Sequence, residues 1–202
     1  MGLFDAVKSA LGLKAGADAT RDADPDDLFG MSTAYVTMEA QLNYRPVGQA
    51  ALCFSEVDST DFADTVGEVE TILEAGREET GTIADLSSDE HGYHWVVLED
   101  DDFEDLVTSI HFAADTFVER GYGSRLLAAV FGFTDREGER AYWVYSFRRG
   151  AYYPFAPRSG HQQDAQAQFK LESVLDGELT IERDKGYWYP LWPSRPGEHP
   201  WD

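Results

Sequence analysis

Basic residues are scarce in this chain of 202 residues. It contains 16 lysines and arginines against 38 aspartates and glutamates, so its formal net charge at pH 7 is -22. Only four of the basic residues are lysines, which are Lys8, Lys14, Lys170 and Lys185. Proteins that bind nucleic acids need basic patches to neutralise phosphates. The composition therefore argues strongly against a nucleic-acid partner.

The acidic residues are spread along the whole chain rather than gathered in one tail. In ordinary cytoplasm so many like charges would push a compact domain apart. At molar salt the Debye length falls to about 3 Å, and most of that repulsion is screened. We therefore expect a protein that works in a very salty interior, with a basic partner as the alternative explanation of the charge.

Cysteine and long apolar segments are also nearly absent. The single Cys53 excludes an intramolecular disulfide, and its place in the apolar segment QAALCFS predicts a buried strand residue. The chain has no apolar run of about 18 residues, so no membrane-spanning helix is expected. Its N-terminus lacks the long apolar stretch and cleavage site of a secretory signal. These absences predict a cytoplasmic protein.

Residues 1–13 are predicted to form an amphipathic helix, followed by a flexible acidic linker over 14–27. The helix has one narrow apolar stripe, formed by Leu3, Phe4, Val7 and Leu11. Two interpretations stay open, because the stripe can dock on its own domain or contact a partner or a membrane surface.

Residues 28–177 are predicted to form a single α+β domain that begins with a helix over 28–42. Strands and helices then follow in the order strand 49–54, helix from Ser59 or Thr60, strand 82–86, strand 93–98, helix 103–120 and strand 125–133. This β-α-β-β-α-β order predicts a ferredoxin-like core, an antiparallel sheet with helices packed on one face. A rearranged α+β sandwich with the same element order is the alternative.

The second half of the domain and the C-terminus differ in composition from the core. A fifth strand over 140–147 is expected as an edge hairpin, and a last helix over 162–175. Six of the eight prolines lie at or beyond Pro154, and three of the five tryptophans lie in the last fifteen residues. Residues 178–202 are therefore predicted to be an aromatic, proline-rich extension that wraps the sheet or meets a partner.

No group of residues in the sequence predicts catalysis, a metal site or a cofactor. The carboxylates of residues 99–105 fit a divalent-metal site, but an acid-rich helix start explains them better in so acidic a chain. His91, His94 and His111 lack the spacing of zinc ligands. We therefore expect a protein that is not an enzyme, and keep a metal-dependent enzyme that uses residues 99–105 as an alternative.

A basic pair followed by aromatic residues is the second candidate for partner binding, beside the N-terminal stripe. Arg148 and Arg149 can hold a phosphate or carboxylate ligand, or neutralise the protein's own acids. The predicted partner-binding residues of this segment are Arg148, Arg149, Tyr152, Tyr153 and Phe155.

Several segments resemble the PspA-associated protein PspAB family. They are GLFDA, AALCFSEV, the segment from GYHWVVLEDDD to AAVFGF, WVYSFRRGAYYPFAP and YWYPLWP, in the same order over nearly the whole chain. YYPFAP after a basic pair is the most specific, and the acidity resembles a haloarchaeal member. The acidic linker 14–27 and the residues after Trp192 depart from the family pattern.

The resemblance implies association with PspA, a coiled-coil membrane-stress protein, and with the membrane protease HtpX, and it supplies no catalytic residues. Together with the residues, it predicts a non-enzymatic adaptor or binding protein of a PspA-type membrane-stress response. Peripheral contact with the inner face of the membrane and a homodimer both stay open. A further alternative is a dimeric chaperone for client peptides, with the aromatic tail lining a groove.

Overall fold

The computed structural model describes residues 22–89 and 92–192. A 3-10 helix over Pro25–Gly30 leads directly into helix α1, Met31–Leu42. The strands are β1 Arg45–Ser55, β2 Ile83–Ser88, β3 Tyr93–Glu99, β4 Leu126–Thr134, β5 Arg140–Ser146, β6 Ala151–Phe155, β7 Pro157–Arg158 and β8 Gln162–Gln163. The remaining helices are α2 Thr60–Thr80, α3 Phe103–Glu119, α4 Ala165–Leu175 and two 3-10 turns, Gly123–Arg125 and Lys185–Tyr187.

One six-stranded antiparallel sheet organises the chain, with the strand order β2-β3-β1-β4-β5-β6. Its first four strands and the helices α2 and α3 have the order and connections of the ferredoxin-like split βαβ unit. The α+β class and the predicted core are therefore confirmed. β7 and β8 form a separate two-stranded sheet.

The prediction that β5 is an edge strand is wrong, because β6 pairs with it from Ser146–Ala151 to Tyr142–Phe155. Pro154 lacks a backbone donor, and an outer strand such as β6 tolerates this loss. The free edge of β6 is covered at Tyr152, which exchanges backbone hydrogen bonds with Thr180 and Glu182. The aromatic segment after the basic pair is thus part of the sheet.

The helices meet one face of the sheet, as the sequence predicts. Phe54 of β1 packs against Phe62 of α2 and Phe117 of α3, with ring centroids 6.1 and 4.6 Å apart. On the same face, the indole N–H of Trp143 donates to the sulfur of Met38 in α1 at 2.9 Å. On the C-terminal segment, Trp192 packs against Phe155 of β6. No helix in the described part of the chain combines the length and apolar character needed to cross a membrane.

Polar caps set the helix ends. The Ser59 side chain accepts a hydrogen bond from the Phe62 N–H, so the predicted start of α2 is confirmed. Asp102 caps α3, and Gly121, with a φ of 82°, follows its last turn. Asp164 caps α4 at Ala165, three residues after the predicted start, since the two residues before the cap form β8.

The described fold begins before Leu28. Asp24 caps the 3-10 helix and Pro25 occupies its first position, where a missing N–H costs nothing. The hydroxyl of Tyr145 donates to the Asp27 carboxylate at 2.7 Å. Residues 25–27, which composition alone placed in the linker, thus belong to a helix that is attached to the sheet.

Candidate partner-binding surface

The four apolar residues of the predicted N-terminal stripe, Leu3, Phe4, Val7 and Leu11, lie outside the described residues. Their predicted role in partner binding stays a prediction. The described chain does contain the other five predicted residues, and it separates them into two arginines at a turn and three aromatic residues of one strand.

Arg149 is buried and forms an ion pair with Glu182, whose carboxylate accepts from its Nε at 2.6 Å. The guanidinium also lies over the ring of Tyr187, 3.9 Å from the centroid. It therefore neutralises one of the protein's own acids and attaches the C-terminal segment to the end of β5. Arg148 is half-buried, and its Nε has no hydrogen-bond partner among the described residues.

Tyr152, Tyr153 and Phe155 are core residues, with at most 2% of each exposed. The Tyr152 hydroxyl donates to the carbonyl groups of Asp27 and Leu28, and so connects β6 to the first 3-10 helix. Burial raises the pKa of both tyrosines well above the usual range. A partner can reach these three side chains only if β6 or the segments over it move.

Two of the acidic residues in 99–105 bind the backbone around the start of α3. Asp100 accepts from the backbone N–H of Asp102, and Asp102 accepts from that of Glu104. The other carboxylate oxygen of Asp100 accepts from the Thr82 hydroxyl. Within 22–89 and 92–192, no three His, Cys, Asp or Glu side chains are placed to hold a metal ion. Two of the carboxylates in this segment, those of Asp100 and Asp102, thus bind the backbone at the start of α3.

Two exposed phenylalanines each contact the ring of His111 on the helical layer. The rings of Phe29 and His111 are 4.3 Å apart, and those of His111 and Phe112 are 5.7 Å apart. Phe29 is 41% exposed and Phe112 is 51% exposed, whereas His111 is buried. We call Phe29, His111 and Phe112 the aromatic patch.

The patch is held by a contact between two helical elements. Nε2 of His111 in α3 lies 2.9 Å from the carboxylate of Asp26 in the 3-10 helix, in position to donate to it. Phe29 lies in the same 3-10 helix as Asp26, so the contact holds the element that places the Phe29 ring beside the imidazole. The Nδ1 atom of His111 is buried and has no hydrogen-bond partner in the part of the chain that the structure describes.

Acidic side chains border the patch. Asp26 is largely exposed beside Phe29, and Asp115 follows Phe112 by three residues, so it is its neighbour on the α3 surface. An apolar centre with a charged rim is the usual arrangement of a protein interface. The matching surface on a partner would carry apolar side chains next to lysines or arginines.

The residues of the patch do not follow the periodic pattern of buried apolar residues in the sequence. The buried stripe of α3 contains Leu106, Ile110, Ala113 and Phe117, and Phe112 does not belong to it. Phe29 likewise falls beside the buried Leu28. A large aromatic residue off the buried stripe of a helix is the signal that would have found both residues, but it does not show that they come together.

The comparisons with known proteins give one result. The family model PspAB, PspA associated protein B, matches residues 1–201 of the chain. Neither the search of curated proteins nor the search of solved structures gave a significant match. Because the family model spans nearly the whole chain, this protein belongs to the PspAB family of PspA-associated proteins.

Proposed function

We propose that this protein is a non-enzymatic adaptor of a PspA-type membrane-stress response and that it binds PspA through the aromatic patch. Membership of the PspA-associated family is the observation that carries the proposal. The patch supports it, because buried aromatic side chains supply much of the binding energy at protein interfaces. The acidic rim favours a helical partner surface that has basic residues beside its apolar ones.

The salt concentration determines whether charged or apolar contacts contribute most of the binding energy. At molar salt the attraction between exposed charges is screened within about 3 Å. The apolar contacts of Phe29 and Phe112 are much less sensitive to salt, and salts that are excluded from protein surfaces strengthen them. Binding at high salt should therefore depend on the two phenylalanines and only weakly on Asp26 and Asp115.

Changing both patch phenylalanines to serine is expected to weaken PspA binding by about 30-fold or more. Each Phe contributes about 1.5–3 kcal/mol when its exposed ring is buried, and part of each ring is already covered. The measurement is a titration of purified PspA at molar potassium chloride, with thermal unfolding as the check on folding. Phe169→Ser is the matched control, because Phe169 is an exposed phenylalanine on α4.

Equal binding by the wild type and the double variant would remove the aromatic patch from the proposal. Equal losses in the patch variant and in Phe169→Ser would mean that exposed apolar area in general, and not this patch, drives association. No binding of PspA by the folded wild-type protein would contradict the proposed adaptor function itself.

The N-terminal stripe is a second part of the same proposal. Deleting residues 1–13 is expected to leave the domain folded and to reduce attachment to PspA or to vesicles. A helix of about a dozen residues is marginal alone, and burial of four apolar side chains allows only reversible attachment. Co-sedimentation at molar salt measures it, with the full chain as reference. Unfolding of the truncated protein would show instead that the segment is structural.

The link to HtpX and the position at the inner face of the membrane come from the resemblance and belong to the same proposal. The titration with PspA can be repeated with an HtpX-type protease, alone and after PspA has bound. Saturable binding of HtpX to the PspA complex would support the adaptor. A metal ion retained in stoichiometric amount, or capture of unfolded peptides by a dimer, would favour the enzyme or the chaperone instead.

A further inference from the structure

Arg125 and Arg148 lie at the same end of the sheet. Arg125 ends the 3-10 turn before β4, and Arg148 follows β5. The two strands are still hydrogen-bonded there, since the Phe147 N–H donates to the Leu127 carbonyl at 3.1 Å. Burial lowers the pKa of Arg148, and the positive charge of Arg125 lowers it further.

In the described part of the chain, neither of these guanidinium groups is paired with a carboxylate. Six other arginines are each paired with one, namely Arg45, Arg77, Arg120, Arg149, Arg158 and Arg183. The buried Nε of Arg148 also has no acceptor among the described residues. A half-buried cation beside a second cation destabilises the fold unless an anion neutralises it. The chain has 38 acidic residues that could have filled this role.

We propose that Arg125 and Arg148 form a binding site for a doubly charged oxyanion with the chemistry of phosphate or a phosphate monoester. Guanidinium groups donate paired hydrogen bonds to the oxygens of such anions. Two positive charges match a dianion, whereas a single carboxylate would leave one of them uncompensated. The terminal nitrogens of the half-buried Arg148 guanidinium are the donors that such an anion would meet first, and its buried Nε has no acceptor among the described residues.

Arg148 is expected to help anion binding but to lower the stability of the ligand-free fold. Without ligand, Arg148→Gln should be as stable as the wild type or more stable, because the substitution removes a half-buried charge next to Arg125. A structural role for Arg148 would give the opposite result. The ligand-free melting temperature therefore separates a binding residue from a structural one.

The test measures binding of inorganic phosphate, of glycerol phosphate, and of phosphatidylcholine vesicles with and without phosphatidic acid, at fixed molar potassium chloride. Calorimetry and the rise in melting temperature on addition of ligand are the readouts. The wild type should bind saturably. Arg125→Gln and Arg148→Gln should each bind about tenfold more weakly or worse, as expected when a charged hydrogen-bonding partner is lost. Arg136→Gln is the matched control, since Arg136 lies in the turn between β4 and β5.

Binding of the two soluble phosphates supports the site with a free anion as ligand, and binding of phosphatidic acid vesicles alone supports it with a lipid headgroup. No response to any of the probes overturns the proposal, as does an equal loss in Arg136→Gln. The inference is independent of the proposed PspA contact, because the aromatic patch lies on the helical layer. A variant with Phe29 and Phe112 changed to serine should still bind phosphate.

Discussion

Changing Arg149 to glutamine is expected to lower the free energy of unfolding by about 3–5 kcal/mol, because it leaves the buried Glu182 carboxylate without its counter-charge. Both side chains are at most 8% exposed. The loss is a large fraction of the 5–15 kcal/mol that usually separates folded and unfolded domains. Denaturant unfolding at molar salt measures it.

The effect is large because Glu182 connects the C-terminal segment to the sheet. Its backbone N–H donates to Tyr152 of β6 at 2.8 Å, and its carbonyl accepts from the indole N–H of Trp188. The other carboxylate oxygen accepts from the Asp184 N–H. Loss of the ion pair should therefore loosen the segment around Trp188, and tryptophan fluorescence should report it.

Two further variants test whether the loss of stability comes from the buried ion pair itself. Arg120→Gln breaks an exposed ion pair with Glu68, and its effect on the free energy of unfolding should be much smaller. Changing Arg149 to methionine and Glu182 to leucine together should recover most of the loss, since an apolar pair needs no counter-charge. A loss of less than 1 kcal/mol in Arg149→Gln would show that the C-terminal segment is not held by this pair.

Molar salt is expected to raise the free energy of unfolding by an amount similar to the loss in Arg149→Gln. With a net charge of -22, the melting temperature should rise by about 10 °C or more between low and molar potassium chloride. For a chain of this size, that rise corresponds to about 3–5 kcal/mol. The measurement is thermal unfolding at fixed pH over a series of salt concentrations.

A variant with fewer exposed charges is the control. Glu70, Glu78 and Glu79 are exposed on α2, and changing all three to glutamine should make the dependence on salt shallower. A flat response in the wild-type protein would contradict adaptation to high salt. It would then favour a strongly basic partner as the reason for the acidic surface.

The core of the fold could be predicted because its signals are local. Ser59 caps α2, Gly121 follows α3, and the apolar stripe of α3 follows helical spacing over four turns. The order of these elements then leaves few ways to form a sheet, and the split βαβ unit is one of them. The first three residues of the 3-10 helix, 25–27, are assigned to the linker because an acidic segment with small residues has the composition of a linker.

The sites depend on residues that are far apart in the chain, and local patterns contain no information about such contacts. By itself, the sequence determined the family, the ferredoxin-like core and the charge of the surface, because these follow from order, spacing and composition. Tertiary structure alone decided that Tyr152, Tyr153 and Phe155 lie inside and that Arg149 meets Glu182. It also placed Arg125 and Arg148 at the same end of the sheet. It also brought Phe29 onto His111 of α3. The reason is that burial of the core determines how strands pair and helices pack. Strand pairing and helix packing then determine which exposed or charged side chains become neighbours.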